Sequence, residues 1–429
     1  MKIIFVTNGF PPHSVGGVQV YTRRLAIKLA TRHEVFVFCR ETDPSRQDYS
    51  VRSYIDNDVK VTVVNYNFGD LADFRGTYFI EPMRDVFSHF LDENGRADVA
   101  HVHHLGGVGY AVLDELTRRE IPIIFTFHDF SLTCPRGQRL RDDYSICENL
   151  SVEQCLECLK PQCTGNKGNP WKLYRYLFRK EAGKKLLNDF WTSSEKVADL
   201  ARFILAPSQF HAERLIKDGF PPAKIKVVPY GYEKEIFLKT KRDKIGLVRN
   251  FGYLGSLIPS KGVHILIEAF NLLFKEFPDL PIRLHIYGHT PSYHGKSDYP
   301  VILRQLAGNR PVFFHGAYDN KKLPEILTTL DAVVVPSVWW ETHGMVVREA
   351  KLGGLPVIIS DIGALGEGMK DGVDVLKAKP GNPKSLRDKM RILAITPGLA
   401  DFIASNEIPL KDMKQDLDDY EEIYNSVLP

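Results

Sequence analysis

The feature that most constrains this 429-residue chain is an alternation of short apolar runs, turn-rich loops and amphipathic stretches that occurs in two series. The first forty residues show the unit. "KIIFVT" (2–7) reads as a buried strand and "NGFPPHSVGG" (8–17) as a loop. "VQVYTRRLAIKLATR" (18–32) carries Val18, Tyr21, Leu25 and Leu29 on one helical face, and "HEVFVFC" (33–39) is a second strand. A strand, a helix and a further strand in that order build a doubly wound parallel sheet.

The first series continues with "ADVAHVHH" (97–104), "IPIIFTFHD" (121–129), "ARFILAPS" (201–208) and "AKIKVVPYG" (223–231). "EKEIFLKTKRDK" (233–244) is charged and weakly patterned, as a linker is. A second series follows: "NFGYLGSL" (250–257), the amphipathic "KGVHILIEAFNLLFKEF" (261–277), then "IRLHIYG", "PVFFHG", "DAVVVPS" and "LPVIIS". These last runs are apolar without alternation, the pattern of strands covered on both faces. The tail "KDMKQDLDDYEEIYNSVL" (411–428) reads as a polar amphipathic helix whose apolar side is Leu417, Tyr420, Ile423 and Tyr424.

The predicted fold class is therefore α/β, with two Rossmann-like, doubly wound parallel-sheet domains. The predicted boundaries are 1–232 for the first domain, with a cysteine-rich insertion at 134–163, and 233–246 for the linker. The second domain spans 247–405, and a terminal helix at 406–429 is expected to return to the first. In such sheets ligands bind outside the carboxyl ends of the strands. With two domains the expected site is the cleft between them. Composition excludes other classes. A net charge of +3 is too small to argue for nucleic acid as a partner. No apolar run approaches the roughly 20 residues that span a bilayer, and "MKIIFVTNGFPP" reads as a strand and turn, so a cytoplasmic location is expected.

The chemistry concentrates in "SVWWETHGMVVREAKLGGLPVIIS", Ser337 to Ser360. Its two carboxylates, Glu341 and Glu349, have seven residues between them. Glu341 falls in the loop after a buried strand, and Thr342 is the expected N-cap of a helix starting near Gly344. The N–H groups of Gly344, Met345 and Val346 can meet an anion. Glu349 sits among Val346, Val347 and Ala350, where a carboxylate is costly unless hydrogen-bonded. The two hydroxyls of a ribose satisfy it. Sugar, phosphate and ribose in line describe a nucleotide sugar. Taken alone, Glu349 fits an ordinary solvent-reaching helix residue equally well, and a loop carboxylate such as Glu341 needs no function. Together at a strand end, beside His343 and Gly344, they favour the functional reading.

The same stretch resembles the Glu-x7-Glu signature of retaining GT-B glycosyltransferases of family four. "GGVQVYTRRLAIKLATRHEVFVF", "FTFHDFSLTCPRGQ" and "GYLGSLIPSKGVHILIEAF" resemble that family's glycine loop, histidine strand and phosphate-binding loop, in the family's order. The resemblance implies a GT-B fold and an enzyme that moves a sugar from a nucleotide-diphosphate sugar to a glycan or lipid-linked acceptor, in cell-surface polysaccharide or glycolipid synthesis. It gives Glu349 the ribose, and gives Glu341, with the backbone of His343, Gly344 and Met345, the transferred sugar. Lys261 takes the diphosphate, Gly16 and Gly17 let a loop approach it, and His128 lies beside the sugar. His128, Glu341 and Lys261 are thus the expected catalytic residues. The family's frequent Gly-Arg-Leu is Gly255-Ser256-Leu257 here. Ser256 therefore removes one cation from the phosphate loop, and Arg136 is a candidate replacement. The resemblance implies no catalytic metal. "DLDD" in the tail matches a metal motif only in form and reads as a solvated helix face.

Five of the six cysteines lie between Cys134 and Cys163. The Cys155-x2-Cys158 pair with Cys134 and Cys147 predicts a structural zinc site, Cys163 competing as fourth ligand. Free thiols and an iron–sulfur cluster are the alternatives. "HVHH" (101–104) reads as satisfied or site-lining histidines more readily than as a metal site. "WKLYRYLFRKEAGKKLL" (171–187) is basic and aromatic. It fits peripheral contact with an anionic membrane and, equally, cations laid over a core face. Three other functions compete: a nucleotide-sugar epimerase of the same architecture, a Rossmann oxidoreductase, and a non-catalytic partner of another transferase. The oxidoreductase lacks its Gly-x-Gly-x-x-Gly after the first strand.

Overall fold

The computed structural model describes residues 1–68, 77–163, 180–240, 244–291, 293–294 and 298–428. It contains two parallel-sheet units. The first comprises Met1–Asp142, Cys147–Tyr230 and Met413–Pro429, and the second Asp143–Ile146 and Gly231–Asp412.

The first unit holds β1 (Lys2–Thr7), β2 (Glu34–Glu41), β3 (Val51–Asp56), β4 (Val59–Asn65), β5 (Val99–Val102), β6 (Ile123–Thr126), β7 (Ala201–Ala206) and β8 (Ile225–Val227). Their order across the eight-stranded sheet is β3-β4-β2-β1-β5-β6-β7-β8. All neighbours are parallel except β3 and β4. That hairpin turns at Asn57 and Asp58, whose φ angles are 48° and 66°. Two left-handed residues in a tight loop match the twist of the strands they join, and Asn and Asp tolerate that region better than most. The central strands β1, β5 and β6 are buried at nearly every residue, because helices cover both faces. Tyr21, Leu25, Ala26 and Leu29 form the buried stripe of the helix Gly17–Ala30.

The second unit holds β9 (Asn250–Leu254), β10 (Arg283–Tyr287), β11 (Val312–Gly316), β12 (Ala332–Val335), β13 (Val357–Ser360) and β14 (Leu376–Ala378). Their order is β11-β10-β9-β12-β13-β14, all parallel. Val263, Leu266, Ile267, Phe270 and Leu273 bury the helix Val263–Glu276 against this sheet. The apolar spacing of three and four residues is what turns one helix face inward.

Two expectations change. The segment expected as a linker at 233–246 includes a 3-10 helix, Lys234–Thr240. Its Phe237 is buried with Leu323, Leu327 and Leu330 of the second unit. One aromatic side chain at an otherwise charged position is enough to dock the segment, and the chain passes between units at Tyr230–Gly231 instead. In "DLDD" the solvated reading fails for Asp416, which is fully buried and accepts the Tyr21 hydroxyl at 2.8 Å. Its helix, Met413–Asn425, belongs to the first unit.

Candidate active site

In the second unit the chemistry gathers at the carboxyl ends of β9 and β12. Glu341 follows β12 and is buried. Its Oε1 accepts three hydrogen bonds: from Lys261 Nζ at 2.7 Å, Ser337 Oγ at 2.6 Å and Trp339 Nε1 at 2.8 Å. A buried carboxylate is stable only with such partners. Lys261 also lies 5.1 Å over the Trp339 ring. All three donors fall on one oxygen. The Trp339 indole N–H thereby has its partner in the Glu341 carboxylate.

The loop that carries Lys261 is fixed by backbone contacts that require glycine. Gly262 has φ 69°, and a Cβ there would fall 1.9 Å from the Pro336 carbonyl oxygen. Ser260 O accepts from Val338 N at 2.9 Å, which ties this loop to the Glu341 loop. The turn at Gly255 is similarly tight. A Cβ on Gly288 would lie 1.7 Å from Gly255 O. Tyr253 Oη donates to the Ser256 carbonyl at 2.7 Å. Ser256 thus sits in a rigid turn at the end of β9, and brings no charge to it.

The helix Met345–Leu352 begins after Gly344, whose φ is 78°. Gly344, not Thr342, is the N-cap, and no side chain caps it. The expected Thr342 cap is displaced because the left-handed turn at Gly344 orients the first N–H groups itself. Arg348 donates to the carbonyls of His343 and Gly344, which holds the loop open at the helix start. The sequence reading missed Arg348. Its only sequence signal is a cation at helical spacing from His343. His343 is buried and its Nε2 meets Tyr232 Oη at 3.0 Å. Glu349 is buried one turn further on. It lies close enough to Tyr318 to help push that phenol up, although burial is the larger cause.

In the first unit, Gly16 caps and Gly17 opens the helix after β1. His128 lies just past β6 and is buried. Its Nδ1 meets Tyr230 Oη and its Nε2 meets His103 Nδ1 at 2.9 Å. His101 bonds Tyr424 and Thr126, each at 2.7 Å, and His104 pairs with Asp129 at 3.3 Å. Burial holds His101, His103 and His128 well below the usual imidazole range. These rings are neutral at pH 7. The "HVHH" run is therefore a set of partnered histidines, not a metal centre.

The zinc expectation is corrected. Cys134, Cys147, Cys155 and Cys158 do line one small cavity, with Arg136, Leu140, Leu150 and Leu159. Among the described residues, however, no group of three or more His, Cys, Asp or Glu is placed to hold a metal ion. Burial raises the Cys134 and Cys158 thiols and pushes Cys155 up to about 12. Neutral buried thiols pack as small apolar groups. Arg136 belongs to this cavity wall and pairs with Asp142 at 3.7 Å. The side chain of Cys163 and the run Trp171–Arg179 lie outside the described residues. No described helix is long and apolar enough to cross a membrane.

Comparison with known proteins follows the same lines. Residues 15–235 match the family model Glycosyltransferase Family 4, and residues 248–395 match Glycosyl transferases group 1. A D-inositol 3-phosphate glycosyltransferase of Corynebacterium urealyticum is 31% identical over 191 residues, 41% of this chain and 44% of that protein. The match thus spans less than half of that relative. The enzyme of the same name from Paenarthrobacter aurescens is 24% identical over 399 residues, 88% of this chain and 84% of that protein. Anabaena HepE, solved with UDP and glucose, shares the fold with a TM-score of 0.68 at 18% identity, covering 100% of both chains. Sucrose-phosphate synthase from Thermosynechococcus elongatus does so at 0.67 and 17%, covering 99% of this chain and 98% of that one. The fold is GT-B, and the chain belongs to glycosyltransferase family 4, a family of sugar-transferring enzymes.

Proposed function

We propose that the protein transfers a sugar, with retention of anomeric configuration, from a nucleoside-diphosphate sugar to a glycan or lipid-linked acceptor. The observation that carries this is the Glu341–Lys261 pair, with Glu349 buried one turn into the adjoining helix. In this reading Glu349 accepts from the ribose hydroxyls. Lys261 has three N–H donors, so it can keep Glu341 and bond the diphosphate at once. The N–H groups of Met345 and Val346, at the start of their helix, meet the same anion. Glu341 Oε2 accepts from a hydroxyl of the transferred sugar. Gly16, Gly17 and His128 take the roles the family gives them, beside the diphosphate and the sugar.

The bond that breaks joins the anomeric carbon to the diphosphate, which leaves with the electron pair. The acceptor oxygen bonds to the same face of that carbon, and its proton passes to the departing phosphate oxygen. Lys261 and the helix N–H groups stabilise the growing negative charge, the effect that contributes most in such sites. The D-inositol 3-phosphate glycosyltransferases among its relatives support inositol phosphate acceptors as the first to try.

The test is stereochemical. The protein is incubated with UDP-, GDP-, ADP- and TDP-sugars and a panel of such acceptors, and the first product is read by proton NMR. The expected product has the donor's anomeric configuration. An inverted product contradicts the mechanism. An epimerised donor without transfer supports the epimerase, and no reaction with any pair supports a non-catalytic partner.

A further inference from the structure

His128 is expected to act beside the sugar, yet neither of its ring nitrogens is available in the described structure. Nδ1 is held by Tyr230 and Nε2 by His103. A neutral imidazole has one donor and one acceptor nitrogen. With the Tyr230 hydroxyl as donor toward His128 Nδ1, the other proton positions follow. His128 must then carry its proton on Nε2 and donate it to His103 Nδ1. His103 in turn must carry its proton on Nε2, which has no hydrogen-bond partner among the described residues. One hydroxyl orientation thus fixes the tautomer of two rings.

The Tyr230 ring is itself held. The Tyr230 ring stacks on Tyr21 with centroids 3.9 Å apart. Tyr21 Oη donates to Asp416 at 2.8 Å and meets Tyr420 Oη at 3.1 Å. Burial, then the Asp416 charge, raises the Tyr21 phenol well above its usual range, so it remains a donor. The His103 and His128 rings stack at 14° to each other. Every member of the chain is buried.

We propose that His128 is a positioning residue that exchanges no proton with substrate, and that Tyr230 and His103 hold it in a single neutral tautomer. The chain Tyr230–His128–His103 locks the end of β6 at the carboxyl edge of the first unit's sheet, where open α/β sheets present loops to ligands. This inference rests on the transferase reading and deepens it. The titratable groups facing His128 include His101, His103, His104, Asp129 and His211, with Tyr230 on Nδ1 and the Tyr21 ring 6.1 Å away. Asp129 is the one anion among them and is itself engaged by His104 and Ser131.

The experiment uses the full-length protein, with Tyr230→Phe, His103→Asn, the double variant and His128→Gln. The rate of transfer is measured from pH 5.5 to 8.5, and nucleoside-diphosphate binding is measured beside it. Tyr230→Phe and His103→Asn are each expected to lower kcat about tenfold, the effect of one buried hydrogen bond, with nucleotide affinity unchanged. The double variant should lose little more than either single one, since both break the same chain. His128→Gln should lower the rate while keeping the shape of the pH profile. Loss of an ionisation from that profile in His128→Gln overturns the proposal, as do single variants with native rates. If the native protein transfers no sugar, the reading of function fails separately. Nitrogen-15 NMR of labelled histidines then decides the tautomer claim. Fixed Nε2–H tautomers at His103 and His128 support it, and exchanging tautomers overturn it.

Discussion

Two buried clusters, one in each unit, are built from different groups. The second sets a carboxylate among donors: Glu341 is buried, and Lys261, Ser337 and Trp339 all donate to one of its oxygens. The first gathers neutral rings: burial holds His101, His103 and His128 neutral, and they bond to hydroxyls and to each other. The contrast teaches what each site is built to meet. A fixed carboxylate beside a cation suits a ligand with both hydroxyls and a developing anion. A set of neutral rings bonded within the fold suits the holding of a strand end in one position.

The sharpest way to break the comparison is to remove the charge. Glu341→Ala leaves Lys261 without its anion and strips the sugar contact, and turnover is expected to fall by about a hundredfold to a thousandfold, as when one transition-state partner is lost. A steady-state assay checks it, and a loss under tenfold would mean that Glu341 is structural. The next test adds charge to the neutral side by lowering pH. A group whose folded pKa is depressed binds fewer protons in the native state. As pH falls below about 6.5, the unfolded chain takes up protons that the native histidines refuse, so stability falls. His211, neutral down to about 4, alone costs roughly 3 kcal/mol between pH 6.5 and pH 4. Urea melts at pH 7 and pH 5 should show the loss, and His211→Leu should flatten it. A stability independent of pH over that range contradicts the neutral assignment.

How much of this was legible in the sequence follows from how local each signal is. The core strands of both sheets were readable because each is a short run of adjacent apolar residues. The β3–β4 hairpin was missed, although its signal was present: "VRSYIDNDVKVTVVN" alternates about Asn57-Asp58. Glu341 and Glu349 stood out because their spacing lies within one stretch. Lys261 joins Glu341 across 80 residues and was found only through the family's pattern. Ser337 and Trp339 as donors were not found, since nothing local distinguishes them from packing residues. The first unit's network was the least legible. Tyr21 and Asp416 are 395 residues apart, and an aspartate inside "DLDD" looks solvated until the helix is seen to dock. The cysteines misled in the other direction. Their spacing fits ligation, while in the folded segment burial raises the thiols of Cys134, Cys155 and Cys158 beside Leu140, Leu150 and Leu159.

The measurement that bears most directly on the central claim is calorimetric titration of UDP, GDP, ADP, CDP and TDP into the native protein and into Glu349→Ala. The account predicts that at least one nucleoside diphosphate binds. It also predicts that Glu349→Ala weakens binding by about a hundredfold, the loss of charge-assisted hydrogen bonds to two ribose hydroxyls. An affinity unchanged by the substitution, in protein that still melts as the native one does, would contradict the assignment of the second unit as the donor site.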